Sequence, residues 1–350
     1  MAFTGSITFS GKEALEGILQ PAFITPRADD TFTIVPIKDK QQVVYMGQKE
    51  KITKVDAGCG DTSTDASISA TEKYWDPVRV EVYERICAKD WDATLMVWSM
   101  KNGLDYNDLT DTQIAAYVLE TYPPALRRDF IRMAWLGDTA AATAATTGVM
   151  RIAGDIPYYS MLDGLWKKLV AAVGATAADV RHVTITENAA ATFALQLALA
   201  TDKARDTYRD MLTGATNSRL KSAPDAMMLT TQSLYENWLN TKELVTVSES
   251  FKRQDQDIIT DTYRGKPLIP VSMWDDYIQG DTLDNGTLDE YNLPHRAVFT
   301  SKSNLMVGVD TSSVEDLEVW YDRDTKYWKI RGGYKMDTQF AHNFMTVLGY

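Results

Sequence analysis

Hydrophobic and polar positions alternate and cluster along the chain in a way that divides it into three stretches. Near the start, Lys12 to Leu19 predicts a short helix that halts before Pro21. From Thr31 to Met46 the run Phe32, Ile34, Val35, Ile37, Val43, Val44 and Tyr45 favours strand, with Pro36 marking an edge or a bend. Val78, Val80 and Val82 then alternate with Arg79, Glu81 and Tyr83, the two-residue period of a half-buried strand. Between these strands lies Gly47 to Lys73, which is long and polar. Its apolar side chains are Ile52, Val55 and Ile68 with scattered alanines, and Gly58-Cys59-Gly60-Asp61 supplies turn residues near its middle. The pattern predicts a long hairpin that projects from the body. An isolated two-stranded ribbon is marginal in water, so such a hairpin needs a neighbour to lie on. A surface loop rich in Ser, Thr and Asp between residues 61 and 71 is the other reading.

The middle stretch reads as helical. Thr110 and Gln113 fit a capping box, and the apolar stripe that opens with Ile114, Tyr117 and Val118 should stop at Pro123-Pro124. A second helix is expected from Ala125 to Leu136, closed by Gly137. Met161 to Val173 shows Leu162, Leu165, Trp166, Leu169, Val170 and Val173 at helical spacing, with Gly174 beyond. A longer helix is expected over Asn188 to Leu212, its stripe formed by Phe193, Leu197, Ala200, Ala204, Tyr208 and Met211. A strand at Ala226 to Thr230 and a short helix at Leu234 to Leu239 follow.

The last third turns to strands, expected at Leu244 to Val247, Pro267 to Met273, Ala297 to Thr300, Leu305 to Val309, Leu317 to Tyr321, Tyr327 to Arg331 and Phe344 to Leu348. Asp322-Arg323-Asp324-Thr325 joins two of them as a hairpin with Trp320, Tyr321, Tyr327 and Trp328 beside it. Helix and strand mix without a βαβ rhythm, so the fold class is α+β. No internal repeat is visible.

Composition narrows the function more than the fold. The 350 residues are 45% hydrophobic and 24% charged, ordinary for a globular protein, with a net charge of -12 that disfavours tight binding to nucleic acid or an anionic membrane. Cys59 and Cys87 are too few for a disulfide framework and too far apart for a metal knuckle. The opening MAFTGSITFSG lacks the features of a secretory signal, which implies cytoplasmic synthesis. The greasiest run, Ala189 to Ala200, falls short of the roughly 20 apolar residues of a membrane helix.

The search for chemistry finds no local enzyme motif, which leaves open only sites assembled from distant residues. His182, His295 and His342 are isolated from one another, and neither HExxH nor a G-x-S-x-G elbow occurs. Phosphate-binding glycine loops are absent, for Gly58-Cys59-Gly60 lacks the third glycine. Asp281, Asn285 and Gly286 match part of a calcium loop, but Leu283 and Asn292 break the ligand pattern, leaving a solvated acidic loop as the better reading. A carbohydrate-active enzyme using carboxylates such as Asp275 and Asp289 lacks a placed pair. The nine tryptophans fit core or interface packing better than sugar stacking. No catalytic, cofactor-binding or metal-binding residue is singled out.

The order of an arm, a long polar hairpin, helices and a body ending in strands resembles the HK97-fold major capsid proteins of tailed bacteriophages. Three segments carry the likeness: Ile156-Pro-Tyr-Tyr-Ser-Met-Leu-Asp-Gly-Leu-Trp-Lys-Lys-Leu, Ala226-Met-Met-Leu-Thr with the helix after it, and Tyr263-Arg-Gly-Lys-Pro-Leu-Ile-Pro-Val. The resemblance implies an N-terminal arm over residues 1–30, an extended hairpin (E-loop) with its flanking strands over 31–85, and interwoven peripheral and axial domains over 86–350. Within these, the E-loop would run from Gln41 to Tyr74 and a spine helix would lie between Thr110 and Leu136, with Pro123-Pro124 as a departure from the family's single long helix. It also implies inter-subunit contacts at Lys49, Lys51, Ile52, Val55, Gly58, Gly60 and Ile68, with Lys49, Lys51 and Lys54 as candidates for a crosslink. The implied partners are the chain itself in pentamers and hexamers, a separate scaffolding protein, a portal, and weak contact with packaged DNA, without a membrane or cofactor. An icosahedral shell in the virion, assembled in the host cytoplasm, is the expected setting. An encapsulin-type nanocompartment is the nearest alternative and a secreted carbohydrate-active enzyme a more distant one.

Overall fold

The computed structural model describes residues 6–8, 31–38, 42–46, 70–87, 96–102, 111–141, 156–174, 179–215, 218–245, 261–280, 290–310, 318–322, 324–325 and 327–350. Two six-stranded sheets and a two-stranded ribbon carry the chain, with strands numbered along it. The first sheet holds β1 (Ser6–Thr8), β2 (Thr33–Pro36), β5 (Val78–Cys87), β11 (Leu305–Asp310), β12 (Glu318–Asp322) and β13 (Tyr327–Phe340). The second is ordered β6 (Arg181–Val183), β14 (Thr346–Gly349), β10 (Ala297–Ser301), β7 (Ala226–Thr230), β9 (Lys266–Pro270) and β8 (Asp261–Tyr263). β3 (Gln42–Met46) and β4 (Ala70–Tyr74) form the ribbon. Helices among the described residues include α1 (Asp111–Leu136), α2 (Ile156–Tyr159), α3 (Leu165–Ala171), α4 (Phe193–Leu197), α5 (Lys203–Gly214), α6 (Ser218–Ser222), α7 (Gln232–Val245) and α8 (Ser272–Gly280). The α+β class is thus observed.

The second sheet separates two hydrophobic clusters, one on each face. Met227 and Leu229 of β7 and Val298 of β10 enter the cluster built by α1, α3 and α8, while Ala226, Met228, Ala297 and Phe299 enter the one built by α5 and α7. Every residue of β7 and β10 is buried. Alternate side chains of these strands therefore face different cores, which is why their sequences are apolar without alternation. At the heart of the first cluster the indole rings of Trp135, Trp166 and Trp274 meet edge to face, with Trp274 at 4.8 Å from Trp135 and 5.2 Å from Trp166 between centroids.

Long strand β13 organises the first sheet. Its residues Tyr327–Met336 pair with β5 along one edge, while β12 and β11 share the other, opposite its first and last parts. The Asp322–Thr325 hairpin is where the sequence places it: Asp322 Oδ1 accepts from the amide of Asp324 and Lys329 binds Asp322 at 2.5 Å.

Several sequence expectations are corrected. Pro123-Pro124 does not end a helix, because α1 runs from Asp111 through both prolines to Leu136. Each interior proline costs about 3 kcal/mol in lost hydrogen bonding and steric clash. Downstream, Phe130, Ile131, Met133, Ala134, Trp135 and Leu136 are all buried. At about 1.5–3 kcal/mol for each large apolar side chain, that packing outweighs the breaks. The helix expected over Met161 to Val173 shrinks to α3, since residues 161–164 form a turn. Asp163 accepts hydrogen bonds from the Thr139 amide and hydroxyl, and Gly164 donates its amide to the Gly137 carbonyl at 2.8 Å. These two glycines let the end of α1 and the turn touch: a Cβ on Gly164 would lie 2.7 Å from the Gly137 nitrogen and 2.8 Å from the Trp135 carbonyl oxygen. Gly164→Ala is expected to lower stability by about 1–3 kcal/mol in chemical denaturation, through overpacking against backbone that has no room to yield.

The long helix expected over Asn188 to Leu212 is three pieces: a 3-10 turn at Thr186–Ala189, then α4 and α5. Buried Asn188 exchanges hydrogen bonds with the backbone of His295, and Gln196 donates to the carbonyls of Asn188 and Tyr291. These amides serve irregular backbone, and Asp202 adopts a left-handed φ of 66° before α5 begins. Residues 244–245 belong to α7 and not to a strand, and residues 272–273 begin α8 where the strand was expected to continue. The expected helix at Lys12 to Leu19 lies outside the described residues.

Candidate assembly surface

The polar hairpin read from the sequence has its base in the structure. β3 and β4 pair antiparallel with Gln42 opposite Tyr74 and Met46 opposite Ala70, so the chain leaves and returns as one ribbon. Residues 47–69, and with them Lys49, Lys51, Ile52, Lys54, Val55, Gly58, Cys59, Gly60 and Ile68, lie outside the described residues. The ribbon's root is tied firmly to β13 and β11. Trp75 is buried, and both it and Ile37 press on Gly308, where a Cβ would come within 2.8 Å of each. The Asp76 amide donates to Asp337 Oδ2 at 3.0 Å, and Lys168 from α3 binds Asp337 Oδ1 at 2.8 Å and also donates to the Thr338 carbonyl.

Lys73 completes the root. Its ammonium donates to the Phe340 carbonyl at 2.5 Å and sits 3.7 Å above the centre of the Phe340 ring. Burial, with help from the charge of Lys168, pulls its pKa down from 10.5 to about 8. Large apolar side chains remain in solvent along the ribbon and the strand after it: Tyr74 at 56% exposure, Val78 at 39% and Tyr83 at 53%. The alternation along β5 signals these residues only in part. Val80 is buried as expected, but Val78 on the same register is not.

His295 is buried, its Nε2 faces the Gln196 carbonyl at 2.7 Å and must donate, so Nδ1 accepts from the Ser233 hydroxyl at 2.8 Å. A serine and a histidine so paired invite a nucleophilic reading. The amides of Gln232 and Ser233 that would steady an oxyanion are instead taken by Asp275, at 2.6 and 3.3 Å. Asp275 therefore caps α7 from α8 and ties one hydrophobic cluster to the other. It lines a cavity of about 510 Å³ with Leu197, Gln232, Glu236, Asn237 and Gln279. Of the acidic segment read from the sequence, Asp275 and Asp276 are on α8, and residues 281–289 lie outside the described residues. Among the described residues, no group of three or more His, Cys, Asp or Glu is placed to hold a metal ion, and no helix is long and apolar enough to cross a membrane.

Burial raises the Asp275 pKa from 3.8 to about 6 in spite of its amide partners. The folded state then binds more protons than the unfolded one between about pH 4 and pH 6, so this group's contribution to stability falls as pH rises through that window. Asp275→Asn, which cannot ionise, is expected to gain about 2 kcal/mol on the native protein between pH 4 and pH 7, read from urea unfolding of both at the two pH values. An equal difference at both would refute a burial-dominated carboxylate.

No known family pattern and no curated protein sequence matches the chain. Solved structures do. A chain of the satellite phage P4 procapsid, a particle that includes the size determination (Sid) protein, aligns over 97% of this chain and 98% of its own, with a TM-score of 0.52 at 13% identity. A chain of the cyanophage A-1(L) capsid aligns over 91% and 90% with a TM-score of 0.49 at 10% identity, and one of the cyanophage P-SCSP1u capsid over 93% and 89% with 0.48 at 11%. The fold is that of a phage capsid chain. The likeness to the P4 procapsid chain runs across nearly the whole length, in keeping with the α+β class expected from the order of segments.

Proposed function

We propose that this chain is the major capsid protein of a tailed bacteriophage, a structural subunit that self-assembles into a closed shell around double-stranded DNA. The observation that supports this reading most is the end-to-end likeness to a procapsid chain, 97% of one against 98% of the other, so that the whole subunit and not a common subdomain is shared. The ribbon supports it independently, since β3 and β4 rise from a fixed root, with Tyr74 of β4 and Val78 and Tyr83 of β5 exposed beside it. In this reading residues 1–30 form the arm, 31–85 the hairpin with its flanks, and 86–350 the interwoven body. Rings of five and six subunits bury the hairpin of one copy on the next, at the positions from Lys49 to Ile68 named above. A scaffolding protein and a portal act with it, and the net charge of -12 keeps contact with the genome weak. The chain acts by assembly and not by catalysis. The test is the size of the purified protein, alone and produced with its neighbouring genes, by light scattering and electron microscopy. Rings or shells are expected. A monomer under every condition would sink the reading.

A further inference from the structure

Lys73 and Lys168 both reach the hairpin's root, with different partners. Lys168 is neutralised there by Asp337, whose second oxygen is occupied by the Asp76 amide. Lys73 has a carbonyl and an aromatic ring, and among the described residues no carboxylate pairs with it. Burial and then the charge of Lys168 on α3 lower its proton affinity, while burial and then Lys73 and Arg219 of α6 lower that of His342 in the loop after β13. Glu72, next to it on β4, accepts instead from the Tyr74 hydroxyl, and strand alternation sends Lys73 to the other side. The result is a half-buried positive spot on a chain with 48 acidic and 36 basic residues. A second copy of the chain is thus an abundant source of the missing anion.

We propose that the Lys73 ammonium receives a carboxylate from a neighbouring copy of this chain, which pins the hairpin's root to the next subunit. This rests on the shell reading above and names a contact within it. In the free subunit Lys73 loses its proton near pH 8. A neighbour's carboxylate favours the charged form, so assembly takes up a proton at this residue. Association should weaken as pH rises above about 8, by up to about tenfold per contact for each pH unit until the bound lysine itself titrates.

The experiment follows assembly by light scattering and sedimentation from pH 7 to pH 9.5 for the native chain, Lys73→Arg and Lys73→Met. The native chain is expected to lose assembly above pH 8. Lys73→Arg, charged throughout, should keep its assembly to higher pH. Lys73→Met should need about tenfold more protein to assemble at pH 7, the scale of a desolvated charge pair. Circular dichroism of the unassembled subunits separates folding from association, and should the Met variant fail to fold, the Arg profile decides. Parallel pH curves for native and Arg proteins, or unaltered assembly of a folded Met variant, would overturn the contact and leave the shell reading standing. A native chain that never assembles would overturn both.

Discussion

A chain in which residues 47–69 are replaced by Asn-Gly is expected to fold as a subunit and form no shells. Met46 and Ala70 are directly opposed at the last rung of the ribbon, so a two-residue turn of the type that Asn-Gly favours joins them without changing the register. Closing a loop of two residues instead of 23 removes roughly 2 kcal/mol of chain entropy cost, so the ribbon's root should be at least as stable as before. Trp75, Lys73 and Asp76 keep their partners on β11 and β13. What is lost is surface that the ribbon cannot bury on itself. Thermal unfolding of the shortened subunit should match or exceed that of the native one, while electron microscopy finds no closed particles. Shells of normal size from the shortened chain would remove the hairpin from the assembly mechanism.

Trp274→Ala is expected to cost about 3–5 kcal/mol, the loss typical of a buried aromatic truncated in a packed core. Trp274 is 1% exposed and touches both Trp135 and Trp166, so its removal leaves a cavity walled by two rigid indoles that cannot collapse into it. It also precedes Asp275, which caps α7, so a loosened α8 should weaken the tie between the two clusters as well. Against a typical total of about 5–15 kcal/mol, this leaves a marginal subunit. Urea unfolding followed by tryptophan fluorescence reads the loss directly. A change under about 1 kcal/mol would mean that the triad is not the keystone of its cluster.

Which parts of this picture were legible in the sequence follows from the range of the forces involved. The hairpin base, β7, β10, β11 and the Asp322–Thr325 turn were visible because each is specified by local pattern, such as a period of two, a polar gap or turn residues in a row. The expected shell fold came from the order of such segments, and the procapsid likeness bears it out. The helix boundaries were not legible. Pro123-Pro124 looks like a stop on any local scale, yet α1 continues because Phe130 to Leu136 have a core to enter. The stretch from Asn188 to Leu212 looks like one helix, yet Asn188 and Gln196 spend their amides on backbone more than 90 residues away.

The same division holds for the candidate surface. The expectation that Gly47 to Lys73 projects and needs a partner came from its composition, a polar stretch whose large apolar residues are Ile52, Val55 and Ile68, and the structure supplies the base of that ribbon at residues 42–46 and 70–74. Nothing in the composition sets Lys73 apart from Lys49, Lys51 or Lys54. Only the tertiary structure lays Phe340 beneath its ammonium, at a sequence distance of 267, and brings Lys168 close enough to repel it. Burial and charge act through space, whereas period and turn chemistry act along the chain. The sequence therefore pointed to a hairpin, whose base the structure holds, and the fold decided which lysine stands at its root.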